Sequence, residues 1–334
     1  MTRREWSKVS VIVPVRDEAD HLPQAVASIL SQGYPGEFQI VLAVAPSEDR
    51  TEQVAAELAE RDRRVVVVEN PQGTTPAGLN RAIEAADGEV IVRVDGHSQL
   101  SPRYIATAVE TLEETGAWNV GGIQRAVGDT PMQSAIAAAM SSRFGTGDAR
   151  FHYGGDPGPA DTVYLGVWPR EVLMGFGGFD EYLFRNQDYE LNVRIREAGG
   201  LVWFNPRLEV TYRPRSSLRD LASQYWQYGH WKRVVLHRHP GSLRWRQAVP
   251  PVTVIANLLG VVGAAISPWM LIVPGAYVGS TLIASAIVAR RDASALVRLP
   301  IVFATMHHAW GAGFLLARAS PHDPDLPDGS KPVR

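Results

Sequence analysis

Apolar residues in the first third of the chain come in short β-branched runs separated by amphipathic stretches. Val9–Val15 (VSVIVPV) has the pattern of a buried strand, and a helical pattern follows through residues 25–32. The alternation repeats three times, with 39–45 leading into 51–60, 64–69 into 76–86, and 89–95 into 102–115. Continuous apolar strands alternating with amphipathic helices predict an α/β domain with a parallel sheet covered on both faces. Ligands of such sheets bind beyond the carboxyl ends of the strands. That places the candidate chemistry in residues 14–18, 45–51, 70–75 and 95–97.

The pattern changes abruptly toward the other end. Residues 248–289 carry no charged side chain, and 299–317 none apart from the titratable His307 and His308. A membrane-spanning helix needs about 20 apolar residues. The first tract is long enough for two, at 252–267 and 269–289 with a turn at Pro268, and the second tract supplies a third. The sequence thus predicts a domain over 1–215, an amphipathic interfacial segment over 216–250, about three transmembrane helices over 251–318 and a tail over 319–334. Lys232, Arg233, Arg238, Arg244 and Arg246 precede the first span, and Arg290, Arg291 and Arg298 outnumber Asp292 between the second and third. Basic loops stay in the cytoplasm, so the expectation is a multi-pass cell-membrane protein with its catalytic domain cytoplasmic. Tyr225, Trp226, Tyr228, Trp231 and Trp245, mixed with those basic residues, fit a helix at headgroup level. His307 and His308 are taken as helix-packing residues.

Composition narrows the chemistry. The formal net charge is −2, which gives no electrostatic case for a nucleic-acid partner. There is no cysteine, so disulfides, thiolate metal sites and a cysteine nucleophile are excluded. The opening residues lack the apolar core of a signal peptide. No GxGxxG follows a strand, and neither a P-loop lysine motif nor a GxSxG elbow is present.

The strand ends, taken in order, resemble the family 2 glycosyltransferases, inverting enzymes with a GT-A fold. Residues 11–18 (VIVPVRDE) are similar to that family's VIVPxxNE start, and 73–83 (GTTPAGLNRAI) to its GxxxALNxGI helix. RVDGH at 93–97 stands at the DxD element, GGFDE at 177–181 and NQDYE at 186–190 at the GGFDE and ED motifs, and QYGHW at 227–231 at QxxRW. With the apolar C-terminal tracts, the chain is most similar to the succinoglycan-type, membrane-anchored branch. The resemblance implies a nucleotide-diphospho-sugar-binding, Rossmann-like GT-A domain with C-terminal transmembrane helices. It further implies a nucleotide-sugar donor (a UDP-sugar by family default), a lipid-linked glycan acceptor, and a role in envelope or exopolysaccharide synthesis.

Carried over residue by residue, the resemblance assigns Pro14, Val15, Glu18, Asp49, Gly73, Asn80, Arg93 and Asp95 to the donor. Asp95, with His97, is the expected ligand of Mg²⁺ or Mn²⁺, and Asp188 is the expected base. Gly178, Phe179, Asp180, Gln227 and Trp231 are assigned to the acceptor side. The sequence departs from the pattern at several places. The first acid of DxD is Arg93, an unfavourable neighbour for a cation unless it points away or grips phosphate. VAPSEDRT at 44–51 lacks both leading acids of DDGSTDGT, so Asp49 either meets the nucleoside or starts the helix at Thr51. Gln187 replaces the first acid of ED, and His230 the arginine of QxxRW. These losses also motivate an alternative, a catalytically silent relative acting as a membrane scaffold in polysaccharide assembly.

Overall fold

The structure, a computed structural model, describes residues 5–291 and 295–317. Asp292 and the expected tail at 319–334 lie outside the described residues. In chain order the first elements are β1 (Val9–Val15), α1 (Leu22–Leu30), β2 (Phe38–Val44), α2 (Thr51–Arg61), β3 (Val65–Glu69), α3 (Thr75–Ala85), β4 (Val90–Arg93), β5 (Gln99–Leu100) and α4 (Tyr104–Thr115). There follow β6 (Asn119–Ala126), α5 (Pro131–Met140), α6 (Arg143–Thr146), α7 (Arg150–Tyr153), β7 (Gly158–Pro159), β8 (Tyr164–Pro169), α8 (Arg170–Gly175), α9 (Gln187–Glu197) and β9 (Val202–Tyr212). The last are α10 (Leu218–Arg238), α11 (Trp245–Gly263), α12 (Ile272–Val288) and α13 (Leu299–Leu316). Two compact units result, one built from residues up to 125 and 154–212, the other from 126–153 and 213 onward.

The first unit is a nine-stranded sheet in the order β3-β2-β1-β4-β8-β6-β9-β5, with β7 pairing β9. The parallel half matches the alternation in the sequence. β1 pairs with β2 on one side and β4 on the other, with Val11 opposite both Ile40 and Val92. Val9, Val11, Ile12 and Val13 are fully buried, as a strand covered on both faces requires. β3, β2, β1 and β4 are parallel, whereas β8 runs antiparallel to β4 and to β6. β4 ends at Arg93, so Asp95 stands just past a strand end at the edge of the parallel half.

A buried asparagine pair ties α9 to the antiparallel half. Asn119 Nδ2 donates to Asn192 Oδ1 at 2.6 Å, Asn119 Oδ1 accepts from the Val167 amide at 3.1 Å, and Asn192 Nδ2 donates to Thr162 Oγ1 at 3.0 Å. Buried amides need such partners. Because each one is supplied by a different strand or loop, the helix carrying Asp188 is held in one register.

In the second unit α10 lies along α13, and two glycines let the backbones touch. A Cβ on Gly229 would stand 2.0 Å from the Trp310 carbonyl oxygen, and one on Gly313 2.2 Å from that of Trp226. One face of this helix is therefore packed within the second unit. Trp231 is 7% exposed, and Lys232 is buried with Nζ donating to the Ser242 carbonyl and hydroxyl oxygens, both at 2.9 Å. The glycine face of α10 is packed, while Trp226 on the same helix remains 38% exposed.

Among the described residues, two helices are long and apolar enough to cross a membrane, Pro268–Val288 and Leu299–Leu316, which are the second and third of the expected spans. α11 begins with Trp245 and Arg246 and contains Pro250 and Pro251, which lowers its average apolarity. Its later turns nonetheless expose Val252, Leu258 and Val262. His307 and His308 are partnered. His307 Nε2 lies 2.9 Å from the Phe144 carbonyl oxygen and Nδ1 3.1 Å from the Tyr277 hydroxyl, while Asn257 and the Ala304 carbonyl flank His308.

Gly122 is the tightest backbone position in the sheet, since a Cβ there would lie 1.7 Å from the Leu208 carbonyl oxygen. Gly122→Ala is expected to cost on the order of 1–3 kcal/mol, read as a lower thermal midpoint. Gly175→Ala, which meets nothing within 4 Å, is the control and should change stability by less than about 0.5 kcal/mol.

Candidate active site

The loops after β1 and β2 are stitched together by their own acids and hydroxyls. Asp17 adopts φ 52°, and its amide donates to Ser47 Oγ at 3.2 Å while its carboxylate accepts from the Glu48 amide at 2.7 Å. The Glu18 amide donates to Thr51 Oγ1 at 2.7 Å. Asp49 accepts from the Ala19 amide at 3.0 Å through one oxygen and from the Thr51 amide at 2.9 Å and the Thr51 hydroxyl through the other. Burial works to raise its pKa, but the Thr51 and Ala19 hydrogen bonds outweigh it and hold the carboxyl below its ordinary value. Of the two readings left open by the sequence, this geometry matches the helix-start role. Val15 is 2% exposed, so its side chain belongs to the core and is not available to a ligand. Gly73, at φ 70°, brings its carbonyl oxygen to 3.5 Å from Arg16 Nη1.

At the end of β4, Arg93 joins the two carboxylates that the sequence singled out. Its Nε and Nη2 donate to Asp95 Oδ1 at 3.1 and 2.9 Å, and its Nη1 donates to Asp188 Oδ1 at the start of α9. The Arg93 side chain is 6% exposed, against 22% for Asp95 and 31% for Asp188. Burial alone would lower the pKa of Arg93, but the two carboxylates raise it, and it stays charged. The acids diverge. Burial pushes Asp95 up, but Arg93, His97 and Arg185 together bring it below its ordinary value. For Asp188 burial prevails, aided by the Asp95 charge against the pull of Arg93, and its pKa is raised. Next to this pair, His97 Nδ1 lies 2.6 Å from Glu18 Oε1.

The turn over residues 176–181 is fixed from two sides. Asn80 Nδ2 donates to the Phe179 carbonyl and to Glu181 Oε1, both at 2.9 Å, and Asn80 Oδ1 accepts from the Phe179 amide at 2.8 Å. Arg194 pairs with Glu190 through two bonds of 2.7 and 2.9 Å and reaches the Phe176 and Gly178 carbonyls at 2.8 and 2.9 Å. Gly178 has φ 76°, and a Cβ on it would lie 2.4 Å from Asn80 Oδ1, so only glycine fits. Phe179 corrects the acceptor assignment. It is 3% exposed with its ring edge-on to Trp168 at 5.8 Å, and it anchors the turn in the core. Gln227 and Trp231 lie on α10, in the second unit.

The family model described as glycosyl transferase family 2 matches residues 10–159. Over 308 residues the chain is 29% identical to the succinoglycan biosynthesis protein ExoA of Rhizobium meliloti (strain 1021), covering 91% of this chain and 93% of that protein. It is also 23% identical over 246 residues to the dolichyl N-acetyl-alpha-D-glucosaminyl phosphate 3-beta-D-2,3-diacetamido-2,3-dideoxy-beta-D-glucuronosyltransferase of Methanococcus voltae, covering 71% of this chain and 76% of that one. Among solved structures, the mannosyltransferase PcManGT from Pyrobaculum calidifontis in complex with GDP-Man and Mn²⁺ has a TM-score of 0.60 at 18% identity, covering 93% of this chain and 87% of that one, a likeness of fold. The chain carries a family 2 glycosyltransferase domain.

In this glycosyltransferase Glu18, Arg93, Asp95, His97 and Asp188 form one linked group. Asn80 acts on the 178–181 turn through its own hydrogen bonds. The Glu190–Arg194 clamp was missed by the sequence reading, although a glutamate four residues before an arginine on a helix is a visible signal. Among the described residues no three histidine or acidic side chains converge as a metal-ligand set. A divalent cation here would draw on Asp95 and His97 alone, and Glu18 orients the histidine ring in the way that supports a metal ligand. Such a pair suits a cation whose other positions are filled by diphosphate and water.

Removing the Asn80 amide unties the turn without opening the core. Asn80→Ala is expected to lose on the order of 1–3 kcal/mol of positioning, or about tenfold to a hundredfold in kcat/KM. Unchanged kinetics in a folded variant would show that the turn does not depend on it.

Proposed function

We propose that the protein is an inverting transferase that moves a sugar from a nucleotide-sugar donor to a membrane-associated, lipid-linked acceptor in envelope or exopolysaccharide synthesis. The observation that carries this reading is the Asp95–Arg93–Asp188 bridge, which places a carboxylate of raised pKa beside one of lowered pKa at a strand end. Environments that push two acids apart mark separate roles. Asp188 takes the proton of the acceptor hydroxyl, whose oxygen attacks the anomeric carbon as the bond to the diphosphate breaks. A single displacement inverts that carbon. Asp95 remains anionic throughout and faces the departing diphosphate together with His97. Bound Mg²⁺ or Mn²⁺, held by those two residues, would supply charge neutralisation to the leaving group.

The relatives support the substrate classes by name, one in succinoglycan biosynthesis and one acting on a dolichyl-linked sugar phosphate. The fold neighbour is bound to a nucleotide-sugar and Mn²⁺. Family resemblance makes a UDP-sugar the first donor to try. A multi-pass topology with the catalytic domain in the cytoplasm is part of the same reading. Arg244 ahead of α11, Arg246 in its first turn, and Arg290 and Arg298 around the α12–α13 connection lie on one side only if α11 also crosses.

Two experiments test it. Asp188→Asn is expected to lower transfer about a hundredfold or more, while binding of the nucleotide-sugar persists; full activity would remove Asp188 as base. Because its pKa is raised, the wild-type rate should fall as pH drops through a value above that of an ordinary carboxyl, and EDTA should suppress the reaction. For topology, Ile266→Cys introduces the sole thiol of the chain at a position 92% exposed. An impermeant maleimide should label it from outside intact cells, and labelling only after lysis would contradict the three-span arrangement.

A further inference from the structure

We infer that Arg93 is a fixed internal cation that holds Asp95 and Asp188 in place, so that the site accepts a divalent metal ion together with a nucleoside diphosphate and not by itself. The inference rests on the proposed transfer reading for the role of Asp188, but its charge argument stands on geometry alone.

Arg93 neither points away from the acids nor reaches into solvent. It is 5% exposed, and its Nε, Nη1 and Nη2 donate to Asp95 and Asp188. The two carboxylates and the guanidinium together carry one net negative charge, with Glu18 and His97 paired alongside. A bare divalent ion approaching Asp95 would meet a buried positive group hydrogen-bonded to the same carboxylate and, among the described residues, find no set of three acidic or histidine ligands. Repulsion at such range is strong in a partly buried site. A diphosphate reverses the balance, since it brings several negative charges and its own oxygen ligands.

The guanidinium is also poorly placed to move aside. It projects from the last residue of β4, and its partner Asp188 opens α9, which the Asn119–Asn192 pair secures. Arg93 is therefore a positioning residue. It contributes the geometry of the base and tunes metal binding, and both acids would repel one another without it. Lysine would keep the charge but lose the fork that reaches two carboxylates at once.

The test is a Mn²⁺ titration of the full-length protein in detergent, followed by the electron paramagnetic resonance signal of free Mn²⁺, without nucleotide and with UDP, GDP or dTDP. Wild type is expected to bind Mn²⁺ weakly alone and at least about tenfold more tightly with one of the nucleotides. Arg93→Gln should bind Mn²⁺ alone about tenfold more tightly than wild type, and Arg93→Lys should keep the wild-type metal behaviour while kcat falls and KM changes little. Equal Mn²⁺ affinity with and without every nucleotide, or an Arg93→Gln affinity equal to wild type, would overturn the inference. The wild-type comparison decides even where Arg93→Gln does not fold. Retained activity in Asp188→Asn would sink the base assignment and leave the Mn²⁺ result standing, so the two failures are distinguishable.

Discussion

A buried guanidinium between two carboxylates is the constraint around which the first unit is arranged. Removing one partner of a buried ion pair is far more disruptive than removing both, because the remaining charge is left without compensation. Arg93 therefore fixes where Asp95 and Asp188 must be, and the surrounding fold has to deliver them there. β4 ends in Arg93, Asp95 follows two residues later, and α9 supplies Asp188 from 95 positions away. The asparagine pair beneath α9 and the Glu190–Arg194 clamp above it hold the helix against both sides of that demand.

The same frame explains why several acids near the strand ends are not chemical groups. Asp17 and Asp49 accept from backbone amides of the facing loop, which ties the ends of β1 and β2 into one rim. Charged residues at such a rim divide into those held by backbone amides and those held by other side chains. Asp95 and Asp188, paired to Arg93, and Glu18, paired to His97, belong to the second group.

Much of this was legible in the sequence, for physical reasons. Strands buried on both faces, such as β1 and β2, leave an unbroken apolar run, and their alternation with helices gave the parallel half. The antiparallel half was harder. β6 (NVGGIQRA) contains Gly121 and Gly122, which weaken any strand signal, yet the close approach of Leu208 requires glycine there. Motif positions singled out residues 93, 95, 97 and 188, but the pairing of Arg93 with both acids depends on a contact across 95 residues that no local pattern carries. Phe179 and Trp231 failed because an aromatic side chain in a motif gives no indication of which way it faces. The packed face of α10 was not visible because two glycines carry it, and glycine gives no apolar signal.

The contacts of the second unit impose an order on synthesis. Phe144 meets His307 across 163 positions, and Gly229 and Gly313 bring α10 and α13 together. The sheet of the first unit has all of its strands once Tyr212 has left the ribosome. Residues 143–146 and α10, by contrast, have no partner for these faces until Leu299–Leu316 has been made. Cotranslational folding of this protein is thus split in time: the sheet can close early, while the helices wait with apolar and glycine-lined surfaces uncovered, the kind of intermediate that depends on a chaperone or an insertase to remain soluble.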